Sequence, residues 1–145
     1  MIVVDTTILV YAVGGDHPLA EPCRQFVDLL LRGEVRATTT PEVIQELAHV
    51  RSRRRSRDDA TSVARDFAAL LAPLLTVTSE DLEVGLDLFA RTELGAFDAV
   101  LAATARRSGC RLLVSADRAF ATADQLPTAD PAEADFLDRV RAVQR

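Results

Sequence analysis

Two short runs of branched apolar residues constrain the fold most, because an aspartate follows each of them closely. Residues 2–4 (Ile-Val-Val) precede Asp5, and residues 112–114 (Leu-Leu-Val) precede Asp117 with two residues between. Such runs are typical of strands buried on both faces of a parallel sheet. Ligand sites of open α/β sheets lie beyond the carboxyl ends of the strands. We therefore expect both aspartates to share one site, although each could instead cap the helix or turn that follows it.

Helical patterns separate the apolar runs along the chain. Thr40 before Pro41 predicts a helix start, Gly33 and Gly109 predict helix ends, and Asp130 to Glu133 resembles a capping box. The patterns predict strands at 2–4, 35–39, 74–77 and 112–114 and helices at 6–12, 18–32, from 41, 58–71, 80–91, 96–108 and 131–144. Short strands alternating with helices favour an α/β fold with a mainly parallel sheet and helices on both faces.

The length and composition fit one soluble domain and exclude several kinds of chemistry. A chain of 145 residues suits a single domain, residues 1–145, of which 131–145 would form an extra C-terminal helix. All 17 basic residues are arginine, and lysine and asparagine are absent, which excludes the Walker lysine, Schiff bases and a Cys-His-Asn triad. With two isolated cysteines, no signal peptide and no apolar run long enough to span a bilayer, we expect a cytoplasmic protein with no membrane contact.

A third carboxylate lies in an apolar helix. Asp98 follows Phe97 in the segment 96–108, where nearly every neighbour is apolar. A helix that is apolar on all sides is buried, and a carboxylate in it is costly unless it is paired or coordinates a cation. Asp98 could instead interact with the N-terminus of this helix, where it occupies the third position, or pair with a buried arginine.

A fourth candidate lies on the helix that begins at Pro41. Glu42 and Glu46 are one turn apart and share a face. Glu42 is near the helix start, where an acid is expected for dipole reasons alone. Glu46 lies in mid-helix, between Ile44 and Leu47, and is the better ligand candidate; the alternative is a solvent-exposed glutamate.

Convergence of Asp5, Glu46, Asp98 and Asp117 would require a cation. Carboxylates ~5 Å apart repel each other by about 3 kcal/mol per pair at an effective dielectric constant near 20. Hard oxygen ligands select Mg²⁺ or Mn²⁺, which keep waters and bind substrate phosphate. The set therefore predicts metal-dependent phosphoryl transfer with no need for a histidine base.

Four segments of the chain, spread over about residues 1–130, resemble the PIN-domain ribonucleases. The closest group is the VapC toxins of bacterial toxin–antitoxin pairs. The matching segments are Asp5-Thr6-Thr7, 41–47 (Pro-Glu-Val-Ile-Gln-Glu-Leu), 97–105 (Phe-Asp-Ala-Val-Leu-Ala-Ala-Thr-Ala) and 114–120 (Val-Ser-Ala-Asp-Arg-Ala-Phe). Two features depart from the family pattern: Ser115 stands where threonine is usual, and the C-terminal helix extends beyond many relatives.

The resemblance implies a three-layer α/β/α sandwich, Mg²⁺- or Mn²⁺-dependent endoribonuclease activity, a homodimer and an antitoxin partner. It assigns the catalytic and metal-binding roles to Asp5, Glu46, Asp98 and Asp117. Thr6 and Ser115 would support that site through hydrogen bonds. Two other functions remain open: a flap-type DNA nuclease with a related acidic site, and a PIN-like protein-binding module with little activity.

An arginine-rich stretch, residues 51–57, is the one basic cluster of a chain whose net charge is −5. It is predicted to connect two helices. It could contact the RNA backbone, bind an antitoxin, or form a solvated connection with no partner. The candidate RNA-binding residues are Arg51, Arg53, Arg54, Arg55 and Arg57.

Overall fold

A four-stranded parallel sheet forms the centre of the protein, which we describe from a computed structural model over residues 1–144. Its spatial order is β2-β1-β3-β4. The strands are β1 (Ile2–Val4), β2 (Ala37–Thr38), β3 (Leu112–Val114) and β4 (Thr128–Ala129). In register, Val3 lies beside Thr38 on one side and Leu113 on the other. The carboxyl ends of β1 and β3, each followed by an aspartate, therefore lie side by side.

Helices cover both faces of this sheet. They are α1 (Thr6–Val13), α2 (Ala20–Leu31), α3 (Pro41–Ser52), α4 (Arg57–Leu70), α5 (Ser79–Arg91), α6 (Ala96–Arg107), α7 (Ala119–Thr122) and α8 (Phe136–Ala142). Successive side chains of a strand point to opposite faces, and every residue of β1 and β3 is buried. The arrangement is thus an α/β/α sandwich, which confirms the predicted fold class.

Local signals place several helix ends where the sequence predicted them. The Thr40 side chain accepts a hydrogen bond from the Val43 amide, and Pro41 is the first residue of α3. Gly33 and Gly109 adopt φ values of +69° and +71° just beyond α2 and α6. This left-handed conformation is the reason that glycine suits both positions.

Two expectations for the elements were wrong, and two short elements were missed. Residues 74–77 form no strand: Leu75 makes one backbone hydrogen bond, to Thr39. The last helix begins at Phe136 rather than at Pro131, because Asp130 accepts from the Ala132 amide in a local turn. The short elements β4 and α7 were not predicted.

The last helix packs on the core. Phe136 and Val140 are buried, and the Phe136 ring lies 6.0 Å from the ring of Phe26 on α2, between centroids. The apolar stripe that the sequence shows on this segment thus faces the protein's own interior. Within the described residues, no helix is both long enough and apolar enough to cross a bilayer.

Helices α5 and α6 form a closely packed hairpin. A Cβ atom added at Gly85 would lie 2.6 Å from Cγ2 of Val100 and 2.8 Å from its Cα, so the two backbones approach where glycine leaves room. The apolar stripe of Leu82, Leu86 and Phe89 on α5 is largely exposed. That stripe therefore contributes little to the core, and Gly85 and Leu88 are buried instead.

Candidate active site

A cavity of about 510 Å³ opens between α3 and the α5–α6 hairpin. One wall is polar, with Thr6, Glu42, Glu46 and Asp98 among its residues. The apolar residues of the lining, which we call the apolar wall, include Val77, Leu82, Leu86, Phe97, Val100 and Leu101. The described residues that line this cavity include no basic side chain. The acidic wall lies beyond the sheet edge where β1 ends.

Asp5 is fixed where β1 turns into α1. It is the N-cap of α1, and its Oδ2 accepts from the hydroxyls of Thr7 and Ser115, each at 2.7 Å. The Thr7 amide also donates to Oδ2. These bonds all use one oxygen, so Oδ1 lies outside them. Burial is the main cause that raises the pKa of Asp5, and the hydrogen bonds oppose it.

The same two hydroxyls hold the loop that follows β3. Thr7 Oγ1 accepts from the Ala116 amide at 3.0 Å, and Ser115 Oγ accepts from the Asp117 amide at 2.9 Å. Each hydroxyl thus joins Asp5 to the backbone beside Asp117. Asp117 itself is exposed, and its Oδ1 accepts from the Ala119 amide at the start of α7. Both aspartates therefore have the capping contacts expected of structural residues, while adjoining the acidic cavity.

Glu46 is positioned by the other threonine of α1. Thr6 Oγ1 donates to Glu46 Oε2 at 2.6 Å, which links the first turn of α1 to the middle of α3. Glu46 is solvent-exposed as a residue and lines the cavity, as does Glu42 one turn earlier. The hydrogen bond is made by Glu46, which distinguishes its carboxylate from that of Glu42.

Asp98 is the carboxylate whose pKa is affected by the charges of the other three acids. It lies in the first turn of α6, half-buried. Its pKa is raised to about 7; burial is the largest cause, and the charges of Asp5, Asp117 and Glu46 contribute to the same rise. No arginine of the described chain forms a salt bridge with it. All four predicted acids therefore share one electrostatic environment, although Asp5 and Asp117 do not line the cavity.

The acidic side chains suit a divalent cation that keeps most of its waters better than one enclosed by protein ligands alone. Within residues 1–144, no three carboxylate, histidine or cysteine side chains lie close enough to enclose one ion. Mg²⁺ commonly uses only one or two carboxylates and completes its octahedron with waters and substrate phosphates. A half-buried carboxyl whose charge three neighbouring acids disfavour is stabilised when a cation binds beside it. The residues present therefore fit such an ion.

The structure divides the arginine-rich stretch. Arg51 lies in α3, where it forms a bidentate pair with Asp59 and donates to the Val13 carbonyl. Its side chain is 17% exposed, so RNA contact by Arg51 would cost these bonds. The connection between α3 and α4 is shorter than predicted, residues 53–56. Arg53, Arg54, Arg55 and Arg57 are exposed around it.

Two features of the site had no sequence prediction. The sequence assigned no role to Thr7, and its only signal was its place in the Asp5-Thr6-Thr7 segment. The apolar wall formed by Phe97, Leu82 and Leu86 was also missed. Its signal was a leucine stripe at helical spacing, which is ordinarily a sign of core packing.

The comparisons with known proteins show the family of this chain. A family model of the PIN domain matches residues 2–126. The chain therefore belongs to the PIN-domain family. Among its relatives, it is 50% identical over 126 residues to Ribonuclease VapC7 of Mycobacterium tuberculosis, covering 83% of this chain and 85% of that protein.

Solved structures share the fold. VapC20 of Mycobacterium tuberculosis, described as a sarcin–ricin loop cleaving toxin, superposes with a TM-score of 0.72 at 19% identity, over 86% of this chain and 95% of that one. VapBC2 of Rickettsia felis, solved bound to a DNA fragment from its promoter, gives a TM-score of 0.69 at 20% identity, over 90% and 98% of the two chains. At these identities, the likeness shows the fold.

Proposed function

We propose that this protein is a divalent-metal-dependent endoribonuclease and the toxin of a toxin–antitoxin pair. The observation that supports the proposal most strongly is Asp98, a half-buried carboxyl that forms no salt bridge. Its pKa is raised to about 7 by burial and by the charges of three surrounding acids. Strongly perturbed groups in a cleft are typical of functional sites. Similarity to Ribonuclease VapC7 supports the choice of RNA as the substrate.

In this proposal Asp5, Glu46, Asp98 and Asp117 bind Mg²⁺ or Mn²⁺ together, one or two of them directly and the others through the waters of the ion. Such an ion, when bound, supplies a water of lowered pKa and neutralises charge on the phosphate. The protein's own contribution is to orient the carboxylates. Thr6 holds Glu46, while Ser115, with the Thr7 hydroxyl, holds Asp5 and the loop that carries Asp117.

RNA would reach this acidic site with help from the exposed arginines. Helices α1 and α3 contact each other at both ends of α1: Thr6 contacts Glu46 at one end, and Val13 contacts Arg51 at the other. The eight residues of α1 span about 12 Å at 1.5 Å per residue. Arg53, Arg54, Arg55 and Arg57 would thus contact the RNA backbone at a distance from the cleaved bond and contribute binding rather than chemistry.

The partners are proposed on the same basis. A cognate antitoxin would bind and inhibit the protein, in line with the toxin–antitoxin complexes that share its fold. The family resemblance also supports a homodimer that acts in the cytoplasm. Sedimentation equilibrium of the isolated chain would test the dimer, and co-purification with the product of a neighbouring small gene would test the antitoxin.

The proposed activity is tested with the separated full-length chain and total cellular RNA. We expect cleavage that EDTA abolishes and that Mg²⁺ or Mn²⁺ restores. Products should carry 5′-phosphate and 3′-hydroxyl ends, because attack by water leaves the ribose 2′-hydroxyl out of the reaction. Cyclic phosphate ends would contradict this mechanism. Preferential cleavage of branched DNA in a competition with RNA would contradict the choice of substrate.

A further inference from the structure

Phe97 is exposed to an extent unusual for a large apolar side chain. Its residue exposure is 80%, the highest among the large apolar residues of the described chain. It directly precedes Asp98 in the first turn of α6. Leu82 and Leu86 of α5, at 45% and 46% exposure, complete the same wall of the cavity. Exposed apolar surface that is grouped in this way marks a binding site more often than a lone exposed residue does.

The chemistry of the cavity limits what can cover this wall. Glu42, Glu46 and Asp98 line the same cavity, and the described lining residues include no cation. The apolar wall therefore has no group that attracts a phosphate, while the acidic side accepts one only through a bound cation. A nucleotide meets both conditions, because its base is flat and apolar on its faces whereas its phosphate is anionic.

We propose that Phe97 is a substrate-positioning residue that stacks on an unpaired RNA base next to the cleaved bond. The inference rests on the proposed ribonuclease function and specifies which part of the RNA this wall contacts. Phe97 and Asp98 are consecutive in sequence and line the same cavity, so a base on the Phe97 ring and a phosphate at the acid cluster can belong to neighbouring parts of one RNA strand. A cavity of about 510 Å³ is of the size that binds small organic molecules.

Stacking of this kind would position the RNA without reading much of its sequence. Every base has an aromatic face, so an aromatic side chain accepts any of them, with modest preferences. The base must be unstacked from its neighbours, which favours single-stranded or loop RNA over a duplex. Phe97 would thus select for RNA structure at the cleavage site.

The test compares Phe97→Ala with Phe97→Tyr and with a matched control, Phe89→Ala. Phe89 is a half-exposed aromatic on the same hairpin that does not line the cavity. The probe is a single-stranded RNA oligonucleotide in which 2-aminopurine, whose fluorescence stacking quenches, replaces each base in turn. Parallel oligonucleotides carry one abasic site in the same positions. Binding and cleavage are measured with the full-length chain in Mg²⁺.

We expect the wild-type protein to quench 2-aminopurine at one position, and Phe97→Ala to abolish that quenching and weaken binding about tenfold. An abasic site at that position should weaken wild-type binding to the same extent and Phe97→Ala binding no further. Phe97→Tyr should restore the quenching, and Phe89→Ala should behave as wild type.

Unchanged quenching in Phe97→Ala would overturn the proposal. Equal losses of RNA binding in Phe97→Ala and Phe89→Ala would also overturn it. The same holds if the loss of RNA binding accompanies dissociation of a dimer in sedimentation, or if Phe97→Ala loses only antitoxin binding. Wild-type protein that binds and quenches the RNA without cleaving it would overturn the ribonuclease function but keep the stacking contact. Cleavage with no position-specific quenching would keep the ribonuclease function but overturn the stacking contact.

Discussion

Two aspartates on the α5–α6 hairpin occupy equivalent positions and have opposite properties. Asp81 lies in the first turn of α5 and Asp98 in the first turn of α6. Asp81 is buried and forms a bidentate pair with Arg107, which lowers its pKa to about 2. Asp98 is less buried and has no arginine partner, and its pKa is raised to about 7. The position in the helix is thus shared, but the Arg107 partner lowers the pKa of Asp81, whereas burial without such a partner, together with the charges of three acids, raises that of Asp98.

The comparison shows how a structural carboxylate differs from a candidate ligand. Asp81 also completes a capping box with Thr78, so every contact it makes favours its charged form within the protein. The charges around Asp98 are carboxylates, so its charged form is favoured only when a cation arrives from outside the protein. The hairpin therefore has one acid that stabilises the fold and one that is available for binding.

Asp98→Asn should have the largest effect. The change keeps the shape and removes the charge, so RNA cleavage should fall about 100-fold or more, since metal charge stabilisation contributes several kcal/mol. The melting temperature at neutral pH should be equal to or higher than that of the wild type. Lower stability with activity retained in the folded fraction would return Asp98 to a structural role.

The pH dependence of that stability difference gives a second measurement on the same variant. Between about pH 4 and 7 the folded protein holds a proton on Asp98 that the unfolded chain has released. The wild type should therefore lose stability relative to Asp98→Asn as the pH rises through this window. Thermal melts of both proteins from pH 4 to pH 8 check this, and a difference independent of pH would contradict the raised pKa.

Asp81→Asn should show the opposite pattern. The variant leaves Arg107 without its partner and weakens the cap of α5, so we expect a loss of about 2 kcal/mol in the free energy of unfolding, reduced from a fully buried pair because Arg107 is 42% exposed. Cleavage per folded molecule should be unchanged. The contribution of Asp81 is present above pH 4 and is lost as the pH falls towards 2. Urea unfolding and RNA cleavage at neutral pH measure both effects.

The sequence predicted those features of the two aspartates and the sheet that depend on neighbouring residues in the chain. Asp98 was a candidate because an acid among apolar neighbours is unusual, and β1 and β3 were predicted from their branched residues. The ion pair of Asp81 was missed because Arg107 is 26 residues away, on another helix. Nothing in the local pattern distinguishes an acid with such a partner from one without.

The missed elements have the same cause. Strand β4 has two residues, Thr128 and Ala129, whose only strand character is their pairing with β3. The Thr7 hydroxyl contacts the Ser115 hydroxyl and the Ala116 amide, which are more than 100 residues away in sequence. Pairings at this distance depend on the assembled sheet, which a window of sequence does not contain.

Gly85→Ala tests the close packing of the α5–α6 hairpin, which carries Asp98. The added Cβ would lie 2.8 Å from the Cα of Val100, two residues from Asp98, so the helices must separate. We expect a loss of about 1 kcal/mol in the free energy of unfolding, the cost of overpacking less the better helix propensity of alanine. Urea unfolding gives this value. Gly15→Ala, at a position with open space around it, is the matched control and should show no such packing loss.

The arginines of the stretch 51–57 also divide into a paired residue and exposed residues, and we expect their replacement to have the smallest effect on activity. Arg51 is paired with Asp59, whereas Arg53, Arg54 and Arg55 are exposed. Replacing these three with Gln should flatten the slope of log K against log salt by about 2 for single-stranded RNA, at about 0.7 per phosphate contact. Cleavage by RNA-saturated protein should be nearly unchanged. An unchanged slope would leave the stretch as a solvated connection.

Titration calorimetry of the full-length protein with Mn²⁺ measures whether the acid cluster binds a cation. Asp98→Asn is compared with Asp87→Asn, an exposed acid of the same hairpin that lies outside the cavity. We predict saturable Mn²⁺ binding by the wild type and by Asp87→Asn, and its loss in Asp98→Asn. Equal Mn²⁺ binding by all three proteins would contradict the account.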